Sequence, residues 1–424
     1  MFLLICLGLF VLWRTALWIE VRNQFAALRR TGLPTSGQEL NAWLPSVPGS
    51  ANGALVLTQA FALLREPPRG FNESTQTKLL SRTSQWSASD RDLIADYVRT
   101  NAPALRKATE ARHFNQFQFP VDYSYGPATD QPQLRDLRKL VRILSLATAL
   151  QIEEGRTNEW PENIALQLQL AATLDGEPTV MSHLVRNSLV RMAATATERS
   201  LNRAGCNDEA AGRLGLAFAQ AIRTNSLPLA LIGERALTIP VFRLSWREIQ
   251  SSSRDGNEDP TPGKPQQYTG KPNPVLWFSG FFERDLSFFL KTMETSLGPA
   301  TLSPPESLRL TNVLDNAESV AGRRGFLFSG MLLPSLGRAA VRDASTQARL
   351  RAAVASLAIE RFRLSQGRLP AGLSELTPRF LDAIPADPFD SAPLRYKLLP
   401  KGYLIYSVDA DGREIGRASC RERV

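Results

Sequence analysis

From Gln133 onward, apolar residues recur at helical spacing. Leu134, Leu137, Val141 and Leu144 share a face, and the run stops at "EEGRTNEWPEN", where Gly155 suits a helix end and Pro161 a first turn. A second helix is expected through Leu166, Leu170 and Leu174; "DGEP" breaks it, and a third carries Leu184, Leu189 and Met192. Earlier, "GLPTSGQELNAW" has the same punctuation, with Ser36 placed to cap a short helix. A chain written in this rhythm must bury its stripes by stacking helix on helix, so the expected fold is mainly α. The pair around residues 138–175 has the helix–turn–helix form of tetratricopeptide stacks, but no sustained period follows it, and a repeat array is not expected.

With 424 residues, the chain is long enough for two or three packed units. The hydrophobic share of 43% and charged share of 21% suit a folded globular body, and the formal charge of +9 comes without a dense Lys/Arg run interleaved with aromatics. No nucleic-acid partner is therefore expected. Three cysteines, Cys6, Cys206 and Cys420, have no metal or disulfide spacing, and His113 and His183 stand alone, one at a helix end and one on a partly buried helix face.

The first residues, "MFLLICLGLFVLWRTALWIEV", hold an apolar stretch from Met1 to Trp13, then a single Arg14, then Thr15 to Ile19, with Trp13 and Trp18 flanking the arginine. A spanning helix takes about 20 mostly apolar residues, so residues 1–30 suit a membrane anchor whose Arg14 snorkels to an interface; the competing reading is a buried helix. No small-residue cleavage site follows, which favours an uncleaved anchor over a removed signal peptide. Arg14, Arg22, Arg29 and Arg30 follow the run and none precedes it, so the positive-inside rule alone would leave the body in the cytoplasm.

Residues 31–250 are expected to be a helical domain, 251–274 ("SSSRDGNEDPTPGKPQQYTGKPNP") a low-complexity linker, and 275–340 a helical continuation. "VLWFSGFFERDLSFFLKTM" is aromatic-rich, but Glu283, Arg284 and Asp285 interrupt it, favouring a buried core helix over a second span. Residues 341–413 change character. A helix through Leu350, Val354, Leu357 and Ala358 ends at Gly367, a short helix follows near Leu373–Leu376, and two strand-like runs, Leu394–Lys397 and Tyr403–Val408, form a hairpin. The module is thus a small α+β unit.

The strings "LAIERFRLSQGRLP", "DPFDSAPLRY" and "GYLIYSVDADG" resemble the globular part of the type II secretion major pseudopilin, over roughly the last sixth of the chain. "GLPTSGQELNAWLPSVPGSANGALVL" and "LDGEPTVMSHLVRNSLVRMA" resemble a family of uncharacterised membrane-anchored bacterial envelope proteins with the same ending. The resemblance implies a single-pass inner-membrane protein with an extracytoplasmic body and a structural, assembly or interaction role rather than catalysis. Unlike pseudopilins, the chain separates anchor from module and lacks the early glutamate and peptidase site, so pilus polymerisation is not expected. In pseudopilins an acidic loop follows the YSV-x-x-DG turn and holds calcium through several oxygens. Asp411 matches a loop aspartate there and Asp409 stands where the family has glycine; a solvated Asp-Gly turn is the alternative. Read back through codons, "EIGRASCRERV" matches a sequencing adapter, so residues 414–424, with Arg417, Cys420, Arg421 and Arg423, are expected to be an artefact and any calcium site incomplete. No other cofactor is expected. Two further readings stay open from the residues: a peptide-binding groove between helices, and an envelope hydrolase acting through Glu153, Glu154 and Glu360. Glu153 and Glu154 also suit a solvated helix end, and Glu360 a surface pair with Arg361.

Overall fold

The computed structural model describes residues 1–81, 84–156, 159–223, 225–243, 278–400, 402–408 and 414–420. The expected linker 251–274 lies outside them. The fold is mainly α, with an N-terminal apolar helix and a small C-terminal antiparallel sheet.

The first helix, α1 (Phe2–Arg30), is the one described helix long and apolar enough to cross a membrane. Its first eight residues, Phe2 to Leu9, are exposed, and only Leu17 and Leu28 are buried. Next come α2 (Gly37–Trp43), α3 (Gly53–Ala62), α4 (Glu73–Leu79), α5 (Ala88–Thr100) and α6 (Ala102–Thr109). Ser36 caps α2 by accepting from the Glu39 amide at 3.1 Å, as its position suggested.

The centre of the body is a stack of α7 (Pro132–Glu153), α8 (Trp160–Ala172) and α9 (Val180–Arg203). Leu134, Leu137, Val141 and Leu144 of α7 all lie in its core, so the stripe legible in the sequence is the packing face. Each such leucine contributes about 1.5–3 kcal/mol by leaving water. Trp160, fully buried at the start of α8, donates from its indole to the Gly205 carbonyl at 2.8 Å, which ties the turn after α9 to the stack. Helices α10 (Asp208–Arg223) and α11 (Leu227–Thr238) continue the body.

A second core gathers Leu28 of α1, α11, the helix Phe281–Ala300, the helix Arg309–Arg324 and the first half of the long helix Leu327–Gln366. Phe282, Phe289 and Phe328 pack there around Phe242 and one another. "FFERDLSFFLKTM" is thus a core helix, as its interrupting charges predicted. Asp285, fully buried, accepts from the Phe328 amide at 2.8 Å and the Ser329 amide at 3.2 Å. Those are donors with no partner inside the long helix, so the aspartate acts as its cap.

The long helix crosses from the second core into the first, where Leu350, Leu357 and Ile359 are buried, and it ends at Gly367 with φ +68°. Strands β1 (Arg395–Leu399), β2 (Gly402–Val408) and β3 (Glu414–Cys420) form a sheet in the order β1-β2-β3, all pairs antiparallel. The expected hairpin is β1–β2; the third strand falls within residues 414–424, the stretch expected to be an artefact. Tyr403 and Ile405 of β2 belong to the same core as α7 to α9, so the module is packed into the body. Fully buried Asp387, in "DPFD", accepts from the Ser407 hydroxyl at 2.8 Å and the Val408 amide at 2.9 Å, and Arg395 of β1 pairs with it. The motif that carried the resemblance is therefore a clamp from turn to sheet.

Candidate functional site

Of the residues singled out in the sequence, Asp409 and Asp411 lie outside the described residues. Glu153 accepts from Arg203, with Arg199 3.6 Å away, and Glu154 pairs with Arg156 at 2.6 Å. Glu360 departs from expectation: it is 5% exposed and pairs with Arg363 at 2.8 Å, while Arg361 reaches Asp208 at 2.9 Å. Neighbours in a helix point about 100° apart, whereas residues three apart share a face. None of the three glutamates lines a cavity described below. His113 ends a short 3-10 turn. His183 is buried, its Nδ1 2.8 Å from the Ser226 hydroxyl and its Nε2 3.0 Å from the Asn187 amide. Burial holds its pKa below the ordinary value despite Asp343 nearby.

A cluster of buried polar groups lies at the start of α9. Helix α11 approaches the turn before α9 so closely that a Cβ on Gly233 would lie 1.7 Å from the Pro178 carbonyl oxygen. Only glycine permits this approach, and it brings the next residue, Glu234, to the Val180 amide at 3.3 Å. Thr179 caps α9 by accepting from the Ser182 amide at 3.0 Å, and Gln131 accepts from the hydroxyls of both Thr179 and Ser182, each at 3.0 Å. Beside them Tyr123 donates to Glu177 at 2.7 Å.

Burial dominates the electrostatics here. It pushes Glu177 up to about 7, against the pull of the Tyr123 and Ser182 hydroxyls, and raises Glu234 and Tyr123 as well. Glu234, Thr179 and Gln131 form one wall of a cleft of about 920 Å³, and α7 supplies a rim of Arg135, Arg138, Lys139 and Arg142 facing Glu66 and Glu73. Glu177 lines a separate pocket of about 260 Å³ beside Val47, Phe117 and Pro178. The arrangement can accept a polar or mixed-charge segment along the rim, and beside it burial raises the pKa of two carboxyls, Glu177 and Glu234. Among the described residues there is no group of three or more His, Cys, Asp or Glu side chains suited to a metal ion.

Sequence reasoning treated "DGEP" as a helix break and passed over Glu177. The signal for Glu234 was present: Glu234-Arg235 is the one charged pair in "LPLALIGERALT", a segment otherwise apolar enough to be buried. No family model, curated protein or solved structure matches the chain.

Proposed function

We propose that the chain is a single-pass protein of the bacterial inner membrane whose extracytoplasmic body serves structure, assembly or interaction rather than catalysis. The observation that carries this reading is α1: it leaves its apolar outer half bare and docks its inner half onto the body. Arg14 pairs with Glu283 at 2.9 Å, and Gln24 donates to the Ser287 hydroxyl at 2.9 Å. Anchor and body thus meet through specific polar contacts. A reporter active only outside the cytoplasm, fused after Val408, tests the placement. Activity is expected; silence in a well-expressed fusion puts the body inside the cell, as the arginines after the run would have it, and removes the pseudopilin module as a guide to function.

A second reading draws on the large cleft. Its mixed-charge rim favours a polar peptide segment of an envelope partner over the apolar strip that a hydrophobic helix would need. In a chain whose sheet is followed by an acidic loop, Asp411 is proposed as a calcium ligand. Calcium titration of such a chain, with and without Asp411→Ala, tests it: loss of binding in the variant is expected, and equal binding rejects the assignment.

A further inference from the structure

A second cavity, of about 500 Å³, lies between α4, α7, α9 and the long helix. On α9, Ser188, Arg191, Thr195 and Arg199 follow one another at intervals of three or four residues, so a single helix face lines it. Arg142 enters from α7 and Arg349 from the long helix, making four guanidinium groups around one space. The only acid in the lining is Glu73, and Arg142 already holds it.

The other three arginines are incompletely matched. Arg199 is 3% exposed; its Nη1 donates to the Leu79 and Ser81 carbonyls at 2.6 and 3.2 Å, its guanidinium lies over the Trp86 ring at 4.9 Å and Nη2 is 3.6 Å from Glu153, but Nε and Nη2 make no hydrogen bond. The Nε of Arg349 is buried without a partner. No hydrogen bond or ion pair to Arg191 or Arg349, or to the hydroxyls of Ser188 and Thr195, occurs among the described residues. Burial and the proximity of Arg349 and Arg342 hold Arg191 below the ordinary arginine range. Like charges gathered in a partly dry space destabilise the empty protein, and an oxyanion relieves them all at once, because the guanidinium fork matches its geometry with two parallel hydrogen bonds. Leu80, Ala149, Met192 and Ala196 supply an apolar side to the same space.

We infer that this arginine-lined cavity binds a phosphate-bearing small molecule, its phosphate held by Arg191, Arg199 and Arg349 with the Ser188 and Thr195 hydroxyls, and its remainder against the apolar side. This goes beyond the proposed envelope role and does not depend on which side of the membrane the body occupies.

The test uses the full chain in nanodiscs of zwitterionic lipid, titrated with inorganic pyrophosphate at constant ionic strength. Pyrophosphate is expected to raise the thermal midpoint saturably, and Arg191→Gln or Arg349→Gln to weaken binding at least tenfold. Without ligand, both variants are expected to melt at or above the parent temperature, since each removes repulsion; a group that merely held the fold together would lower it. Arg338→Gln, on an exposed position of the long helix, should leave binding unchanged. Failure of pyrophosphate to bind, equal binding by the variants, or a lowered ligand-free midpoint overturns the assignment. Repeating the titration in discs containing anionic phospholipid separates the sources. Weaker apparent binding there, absent from the variants, assigns the site to a lipid phosphate, and unchanged binding to a soluble one.

Discussion

Replacing Glu177 by glutamine should make stability less dependent on pH, because burial raises the pKa of the native carboxyl above its unfolded value. Two opposing influences meet at this residue. The hydroxyls of Tyr123 and Ser182, together with the start of α9 just beyond, favour the anion, and a helix N-terminus is worth at most about 2 kcal/mol. Desolvation of a group only 6% exposed outweighs them and takes the pKa from 4.5 to about 7. At about 1.4 kcal/mol per pH unit, that interval corresponds to about 3 kcal/mol. The sign follows from linkage. Below the unfolded value both states carry the proton; as pH rises, the unfolded chain releases it first, so native stability falls until the folded group ionises as well. The contribution is therefore full below 4.5 and lost by about 7. Glutamine keeps an acceptor for Tyr123 and does not titrate. Urea unfolding followed by tryptophan fluorescence, for both proteins from pH 4.5 to pH 8.5, should give equal stabilities at the acid end and a variant more stable by about 3 kcal/mol at the alkaline end. Glu234, Asp175 and Asp285 are raised by burial too, but they act in both proteins and cancel in the difference. A difference flat across the range, or a wild type more stable above pH 7, refutes the reasoning and means that the hydroxyls stabilise an ionised Glu177.

Gly233→Ala places a methyl group on the Pro178 carbonyl and should destabilise by about 3 kcal/mol or more, read as a lower urea midpoint; an unchanged midpoint would mean that α11 and the turn are not held together. Asp387→Ala strips a buried acceptor from Arg395, Ser407 and Val408 and should cost about 3–5 kcal/mol. Asp387→Asn should cost less, and equal losses would contradict the role of the carboxylate. Removing Arg14 or Glu283 alone should loosen α1 from the body in detergent, while Arg14→Leu with Glu283→Leu should restore docking. A coupling energy above about 1 kcal/mol in that double-mutant cycle separates the pair from an ordinary exposed ion pair.

Much of the helical frame was legible because its causes are local. Ser36, Pro161 and Gly367 act through backbone groups within a turn of themselves, and the stripe on α7 needs only the helix period to declare its buried face. The alternation in "YLIYSV" likewise announced β2. What stayed hidden depends on residues far apart in sequence. Glu177 is an unremarkable turn glutamate until Tyr123, 54 residues earlier, covers it. Arg349 and Arg191 look like solvated helix charges until the long helix lies across α9. Glu360 went astray for a smaller reason: adjacency in the chain was taken for adjacency in space, and a helix separates the two.

If α1 crosses a membrane, the Arg14–Glu283 pair constrains how it does so. Residues 2–13, ahead of Arg14, rise about 18 Å as a helix, short of a hydrocarbon core about 30 Å thick. A crossing therefore has to continue past Arg14 toward Ile19, whose side of α1 is still exposed. Along that stretch the body is already present: Phe278 stacks on Phe10 at 5.0 Å, and Glu283 neutralises Arg14, both groups about four-fifths shielded. Snorkelling, the remedy expected for a lone arginine, is then unnecessary, because the body brings the countercharge to it. On the anchored reading, Phe278 and Glu283, which meet α1 at Phe10 and Arg14, lie at the depth of the crossing itself, so this end of the body is part of the anchor. Leu28 of α1 belongs to the second core, and the long helix links that core to the one that holds Tyr403 and Ile405 of the sheet, so α1 and the module are connected through packed helices.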